Sequence, residues 1–328
     1  MLKSVLKRVV SRKRGDPSAI PGEDGRYYSY DRTVQWLRDY AGELGRSAYL
    51  GYPRMVHLET LATCNAACTF CPYPTLDRQG TRMPDDLIEK IINDLTAVPR
   101  ELQFTIAPYK VSEPFLDVRL FDILDLVRAK LPNALIYLSS NVAALTEKKM
   151  DELARHTNIA ILTLSINSDD PEEYEAVMKI PYDRTLARLV ALHERALAGK
   201  YPFPIRISRV TAGRGSDQSF MDWAQAHFPA FRSLIYPRND WIGTAVTPGA
   251  HDIVPDAPCH RWFDLSIMAT GEVAMCCMDG KGEYPKGDVR TQHVLEIYNQ
   301  PHLIELRKTL ISRQQAGDPC NRCTYVSW

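Results

Sequence analysis

From residue 55 onward, short apolar runs alternate with amphipathic ones. The runs at 55–60, 101–107, 134–140, 159–166, 204–211 and 232–238 are strand-like, and helical spacing fills 84–97, 118–130, 146–156, 172–178, 183–198 and 217–227. Continuous apolar strands separated by helices predict βαβ units on a parallel sheet, with right-handed crossovers. Six such strands close only part of a barrel, and ligands in such barrels sit at the carboxyl ends of the strands. The predicted fold is therefore α/β, a partial (β/α)6 TIM-like barrel over residues 51–240. Residues 1–50 are expected to be a helical extension and linker. They start with a basic stretch, 1–14, whose Leu2, Val5, Leu6, Val9 and Val10 fall at helical spacing, and end in a helical piece, Tyr30 to Ala48.

Directly after the first strand stands Thr63-Cys64-Asn65-Ala66-Ala67-Cys68-Thr69-Phe70-Cys71, a C-x3-C-x2-C pattern. Three thiolates this close can wrap one face of a metal centre, either tetrahedral zinc or an iron–sulfur cluster. Structural zinc wants four ligands, and this loop offers no nearby fourth Cys or His. A [4Fe–4S] cluster held by three cysteines leaves one iron open for a small molecule.

The remaining cysteines fall beyond residue 240, where Gly, Pro and turn residues increase. Phe263–Met268 and Glu272–Cys276 flank Thr270-Gly271, which predicts a β-hairpin. A helical region over 294–313, interrupted at Pro301, leads to Pro319-Cys320-Asn321-Arg322-Cys323. Residues 241–328 thus read as a small C-terminal domain of hairpin plus helix. Cys259, Cys276, Cys320 and Cys323 are spaced C-x16-C-x43-C-x2-C, and four thiolates suit either a fully ligated cluster or zinc. Clustered cysteines of this kind suit metal thiolates in a reducing cytoplasm better than disulfides. Cys277 is the eighth. On a strand, successive side chains point to opposite faces, so Cys277 is expected to face away from whatever Cys276 holds.

Composition narrows the function classes. Lys+Arg and Asp+Glu are both 40 in 328 residues. Net neutrality, with no basic run beyond residue 14, does not favour a nucleic-acid partner. No apolar run is long enough to span a bilayer, and no signal-peptide pattern follows the basic start.

Residues 55–240 resemble the radical S-adenosylmethionine (radical SAM) superfamily. The resemblance rests on the C-x3-C-x2-C loop, with an aromatic before its third cysteine, and on Ser112-Glu113-Pro114 after the second strand. It implies that Cys64, Cys68 and Cys71 hold a [4Fe–4S] cluster whose open iron takes the amino and carboxylate groups of SAM. Phe70 would pack near the adenine and Glu113 would accept from the SAM ammonium. The family's usual glycine before this glutamate is Ser112 here. Ser165 and Asn141, at strand ends, would contact SAM. Lys179 stands where many relatives place an Arg. Independently of the resemblance, Arg206 and Arg209 alternate with apolar residues on the fifth strand and are expected either to point into the barrel toward an anion, which makes Arg209 a candidate cofactor contact, or to form a surface salt bridge.

The C-terminal cysteines, with Trp262, Thr270-Gly271 and Gly287-Asp288-Val289, resemble a SPASM/twitch-type region. This implies a second, auxiliary [4Fe–4S] cluster on Cys259, Cys276, Cys320 and Cys323. The implied activity is hydrogen abstraction from a substrate carbon by a 5′-deoxyadenosyl radical. The expected outcome is epimerisation of a sugar, aminosugar or peptide carbon with Cys277 as hydrogen donor. The alternative is dehydrogenation or bond formation with the auxiliary cluster as electron acceptor. An external electron donor such as flavodoxin or ferredoxin is expected. Outside this family, a zinc-stapled interaction module is the competing reading.

Overall fold

The computed structural model describes residues 20–21, 27–245 and 252–326; the basic stretch 1–14 lies outside them. A two-residue antiparallel ladder joins β1 (Ile20–Pro21) and β2 (Tyr27–Tyr28). Helix α1 (Tyr30–Gly45) follows, its first turn capped by Ser29, whose side chain accepts from the Arg32 N–H.

The predicted alternation then unfolds in order: β3 (Met55–Leu58), α2 (Asp85–Leu95), β4 (Phe104–Ala107), α3 (Leu120–Lys130), β5 (Ala134–Ser140), α4 (Glu147–Leu153), β6 (Ile159–Ser165), α5 (Pro171–Met178), α6 (Tyr182–Leu197), β7 (Ile205–Val210), α7 (Arg214–His227) and β8 (Arg232–Tyr236). The six strands β3 to β8 pair in parallel with their sequence neighbours. Helix α2 shows why the segments fold as they do. Ile88, Ile91, Ile92 and Leu95 recur at helical spacing and are buried, and Asp85 and Asp86 stand in the first turn, where the helix dipole favours negative charge. Each such side chain removed from water contributes about 1.5–3 kcal/mol.

One face of the sheet is apolar. Val56, Leu58, Ile106, Ile136, Leu138, Leu164 and Ile207 pack with Ile91, Leu124, Val127, Leu192 and Phe220 of the helices in one core. The opposite face is polar: Tyr137 Oη lies 3.2 Å from both Thr163 Oγ1 and Tyr236 Oη across the inside of the partial barrel.

Beyond residue 252 come β9 (Asp264–Ile267), β10 (Glu272–Ala274), β11 (Pro285–Asp288), α8 (Val294–Tyr298) and α9 (Pro301–Thr309). The predicted hairpin is β9–β10, turning at Gly271 with φ +92°. Its first strand does more than the sequence reading provided for: β9 pairs in parallel with β3, so one sheet runs β11-β10-β9-β3-β4-β5-β6-β7-β8. The free edge of β3 is thereby covered, which a partial barrel otherwise leaves open to aggregation. Helix α1 covers this part of the molecule. Its Leu44 packs with Cys259, Trp262, Phe263 and Cys320, and its Val34 and Leu37 pack with Ala257 and Val326. Among the described residues, no helix is long and apolar enough to cross a membrane.

Candidate active site at the cysteine loop

The cysteine loop leaves the carboxyl end of β3 and is pinned at several points. Ala67 N–H and Thr69 N–H donate to the carbonyls of Met178 (3.2 Å) and Val177 (3.0 Å) at the end of α5, and Glu113 N–H donates to the Thr63 carbonyl at 2.9 Å. Glu59, fully buried, anchors the start. It pairs with Arg78 at 2.7 and 3.0 Å and accepts from Val111 N–H (3.2 Å) and Ala269 N–H (3.1 Å). Burial alone would raise this carboxyl, but Arg78 holds it below its ordinary range. Arg78 also donates to the Gly280 carbonyl at 2.8 Å, and Lys110 to the carbonyl of Asp279. One buried network thus ties the cysteine loop, the loop after β4 and the segment after Cys277 together.

Cys64, Cys68 and Cys71 border a shared cavity whose wall includes Phe70, Glu113, Asn141 and Ser165. The Glu113 carboxylate is fixed there by Phe115 N–H (3.2 Å), Ser140 Oγ (2.9 Å) and Asn141 N–H (2.8 Å). Burial outweighs these donors and pushes Glu113 up to about 7. Asn141 holds a turn and reaches the cysteine loop: its Oδ1 accepts from Ala143 N–H (3.0 Å), while Nδ2 donates to Asn65 Oδ1 (2.8 Å) and approaches the Cys64 sulfur at 3.8 Å.

Two expectations about the cofactor side chains are corrected. Arg209 does not border the cavity. It is buried and paired with Glu173 (3.0 Å) and Asp217 (3.4 Å). Arg206 and Arg209 are three residues apart on β7, so strand alternation puts them on opposite faces. Lys179 is exposed in the left-handed conformation (φ 60°) that ends α5, and lies outside the cavity wall.

The wall also contains Tyr109, Lys110, Asn167 and Trp241, which the sequence reading passed over. Trp241 Nε1 donates to the Phe70 carbonyl at 2.8 Å, closing the cysteine loop against the chain beyond β8. Asn167 Oδ1 accepts from Val210 N–H at 2.8 Å. An Asn or aromatic just past a strand was the only available signal.

At the second cysteine set, Cys276 has Cys259, Cys320 and Cys323 as its neighbours, and Trp262 Nε1 donates to the Cys320 sulfur at 3.4 Å. The strand argument for Cys277 fails in its premise, because β10 ends at Ala274. Asp279 is the cause: its carboxylate accepts from the N–H groups of Met275 (3.2 Å), Gly282 (3.0 Å), Glu283 (2.9 Å) and Tyr284 (3.1 Å), folding this stretch into a turn. Cys277 packs with Cys276 against Cys323 and also has Cys259 in charge range. Its charged neighbours include Arg261, Asp264 and Lys110, and Tyr109 of the cavity wall feels its charge.

All eight cysteines are free thiols. Burial pushes Cys64 and Cys323 up to about 12 and Cys71 and Cys320 up to about 11, so these thiols ionise only against a cationic centre. Among the described residues, no three His, Cys, Asp or Glu side chains close on a single-ion geometry; the first cysteine set instead surrounds open space. Soft thiol donors in sets of three and four, with N–H groups aimed at sulfur, fit iron–sulfur clusters.

Comparison with known proteins agrees with this chemistry. Residues 58–204 match the model of the radical SAM superfamily, and residues 259–324 match SPASM, an iron–sulfur cluster-binding domain. No curated protein matches the sequence. Among solved structures, BtrN in complex with AdoMet and 2-DOIA is similar at a TM-score of 0.56 and 16% identity, over 83% of this chain and 98% of that one. SuiB of Streptococcus suis bound to precursor peptide SuiA gives 0.63 and 14%, over 86% and 72%. The enzyme anSMEcpe with bound AdoMet gives 0.59 and 12%, over 83% and 85%. At these identities the likeness concerns the fold. The two family matches, on a partial barrel whose cysteines meet at the strand ends, place the chain in the radical SAM superfamily as an enzyme with a C-terminal SPASM domain.

Proposed function

We propose that the chain cleaves SAM reductively and uses the resulting radical to remove hydrogen from an unactivated substrate carbon. The observation that carries this reading is the single cavity bordered by Cys64, Cys68, Cys71 and the buried Glu113. When bound there, a three-cysteine [4Fe–4S] cluster with SAM on its open iron supplies the electron and the 5′-deoxyadenosyl radical. The chain's residues do the rest. Glu113, held by three donors, accepts from the SAM ammonium in a charge-assisted bond. Asn141 and Ser165 offer polar contacts along the strand ends, and Phe70, closed by Trp241, excludes water from one side.

What supports epimerisation is that Cys277, though packed with Cys276 against Cys323, lies in charge range of Tyr109 and Lys110 of the cavity wall. A thiol there can return hydrogen to the carbon from a second direction. The second reading, with the auxiliary cluster as electron acceptor, is favoured by the charges described in the next subsection. BtrN was solved with 2-DOIA, SuiB with a precursor peptide and anSMEcpe with the Cp18Cys peptide. By analogy, the substrate is a sugar-like small molecule or a peptide. A cytoplasmic setting and a flavodoxin or ferredoxin donor complete the proposal.

The test uses anaerobically reconstituted protein, dithionite, and panels of aminosugars and peptides in deuterium oxide. Epimerisation is expected to place one solvent deuterium on the product carbon. Cys277→Ala should still form 5′-deoxyadenosine while product falls to near zero. Normal turnover of Cys277→Ala to an oxidised product would instead establish the acceptor reading.

A further inference from the structure

Charge is unevenly spread in this chain. Overall it is neutral, with 40 cationic and 40 acidic residues. Around Cys276, Cys320 and Cys323, however, stand Lys286 and Arg313, with Arg307 near Lys286 and Arg261 near the adjacent Cys277. The carboxylate beside them, Asp264, is already shared by Arg54 at 2.7 Å and Arg261 at 3.0 Å. Arg307 is satisfied by carbonyl oxygens of Leu50 (3.0 Å), Tyr298 (2.9 Å) and the Asn299 side chain (3.2 Å).

Arg313 is not satisfied in this way. Its side chain is 1% exposed, and Nη1 donates to the Tyr325 carbonyl at 2.5 Å. Nε and Nη2 have no hydrogen-bond partner among the described residues. A buried guanidinium left like this is costly and calls for an anion. It lies in charge range of Cys320 and Cys323, and of His260 and Tyr30 as well. Its backbone N–H bonds to the Ala257 carbonyl at 2.9 Å, two residues before Cys259. The peptide carbonyl it donates to belongs to Tyr325, two residues after Cys323. The residue is thus tied to the chain flanking two of the four cysteines, by its backbone before Cys259 and by its guanidinium after Cys323.

Lys286 reaches the same set from the other side. In the β10–β11 ladder Val273 opposes Gly287 and Ala274 opposes Pro285, so Lys286 is the extra residue of a bulge. Bulges re-aim side chains, and the charged neighbours of Lys286 include Cys276 and Cys320.

We propose that Arg313, supported by Lys286, is the built-in counter-charge of an iron–sulfur centre on Cys259, Cys276, Cys320 and Cys323. It holds that centre at a potential from which it accepts an electron. The inference rests on the reading that these four cysteines carry a [4Fe–4S] cluster. Four thiolates make such a centre negative, and one-electron reduction adds one more negative charge. Fixed positive charge and N–H donors beside the sulfurs favour the reduced form and raise the potential. Arg313 acts through the cluster and is a positioning and tuning residue.

The test uses the full chain carrying Cys64→Ala, Cys68→Ala and Cys71→Ala, reconstituted with iron and sulfide without oxygen, so that only the auxiliary centre is loaded. Iron and sulfide are counted per chain, and the midpoint potential is read by electron paramagnetic resonance during dithionite titration. Arg313→Met and Lys286→Met, added singly, are expected to keep the cluster and shift its midpoint to lower potential, Arg313→Met by more. Arg313→Lys is expected to stay near the parent. Retained clusters with unchanged midpoints in both Met variants would overturn the proposal while leaving the two-cluster reading intact. If Arg313→Met holds no cluster, Lys286→Met, on a partly exposed edge strand, decides by the same shift. A parent that binds zinc instead of iron defeats the cluster reading and this inference with it, and metal content alone tells that outcome from the first.

Discussion

Glu113 is a buried carboxyl surrounded by three donors, yet burial still pushes it up to about 7. The sign of its effect follows. Its folded pKa lies above that of an unfolded carboxyl, so above the ordinary carboxylate range the unfolded chain has released a proton that the folded chain keeps. Glu113 therefore costs stability as pH rises toward about 7, the full cost being reached above it. A cation placed against it reverses that. SAM binding is expected to release this proton, and SAM affinity to rise from about pH 6 to about pH 8 with a bend near the carboxyl's pKa. Glu113→Gln is expected to lose the bend and to bind SAM more weakly by about 1.5–3 kcal/mol, the worth of a hydrogen bond to a charged group. Anaerobic titration calorimetry at several pH values measures both. A flat profile in the parent chain with undiminished binding in Glu113→Gln would remove this carboxyl from the SAM site.

Between elements, Glu59 and Arg78 do what no single loop does for itself. Their pair, at 2.7 Å with both side chains buried, joins the end of β3 to the loops after β4 and β9, and Arg78 reaches on to Gly280. Arg78→Met leaves Glu59 buried without its cation, and the expected loss is about 3–5 kcal/mol in denaturant unfolding. Because Arg78 holds Glu59 below its ordinary range, the pair's contribution is present above the unfolded carboxyl's pKa and is lost as pH falls through the folded value. Arg78→Met should therefore also flatten the acid limb of stability against pH. An unchanged midpoint and slope in the variant would return the pair to a marginal role.

At the scale of the molecule, β9 completes the barrel's sheet by pairing with β3 over Met55 to Leu58, and Leu265, Ile267 and Val273 enter the common core. A chain ending at residue 245 would uncover that edge and remove the partners of Val34, Leu37 and Leu44 on α1. It is expected to aggregate and to lose its near-ultraviolet circular dichroism, read beside size-exclusion chromatography. A monomeric truncated chain with a native-like spectrum would show that the barrel folds without the SPASM region.

What the sequence determined by itself is what repeats or clusters along the chain. Apolar periodicity gave six strands and their helices to within a few residues, because burial on one face of a sheet forces that pattern on neighbouring positions. That Cys64, Cys68, Cys71 and Glu113 border one cavity follows from local spacing, since each stands just past the carboxyl end of a strand. Facing was not legible in this way. Distance along the chain points to Lys179, and alternation with apolar residues to Arg209, but tertiary packing turns Arg209 toward Glu173 and Asp217, and a left-handed helix end leaves Lys179 in solvent. Cys277 was placed by an alternation that Asp279 interrupts with four backbone hydrogen bonds. The Glu59–Arg78 pair, the Arg313 side chain that reaches the Tyr325 carbonyl and the seam between β3 and β9 each join segments whose proximity exists only once the sheet has formed. Which charge meets which thiol is set by long-range packing, and no local pattern encodes it.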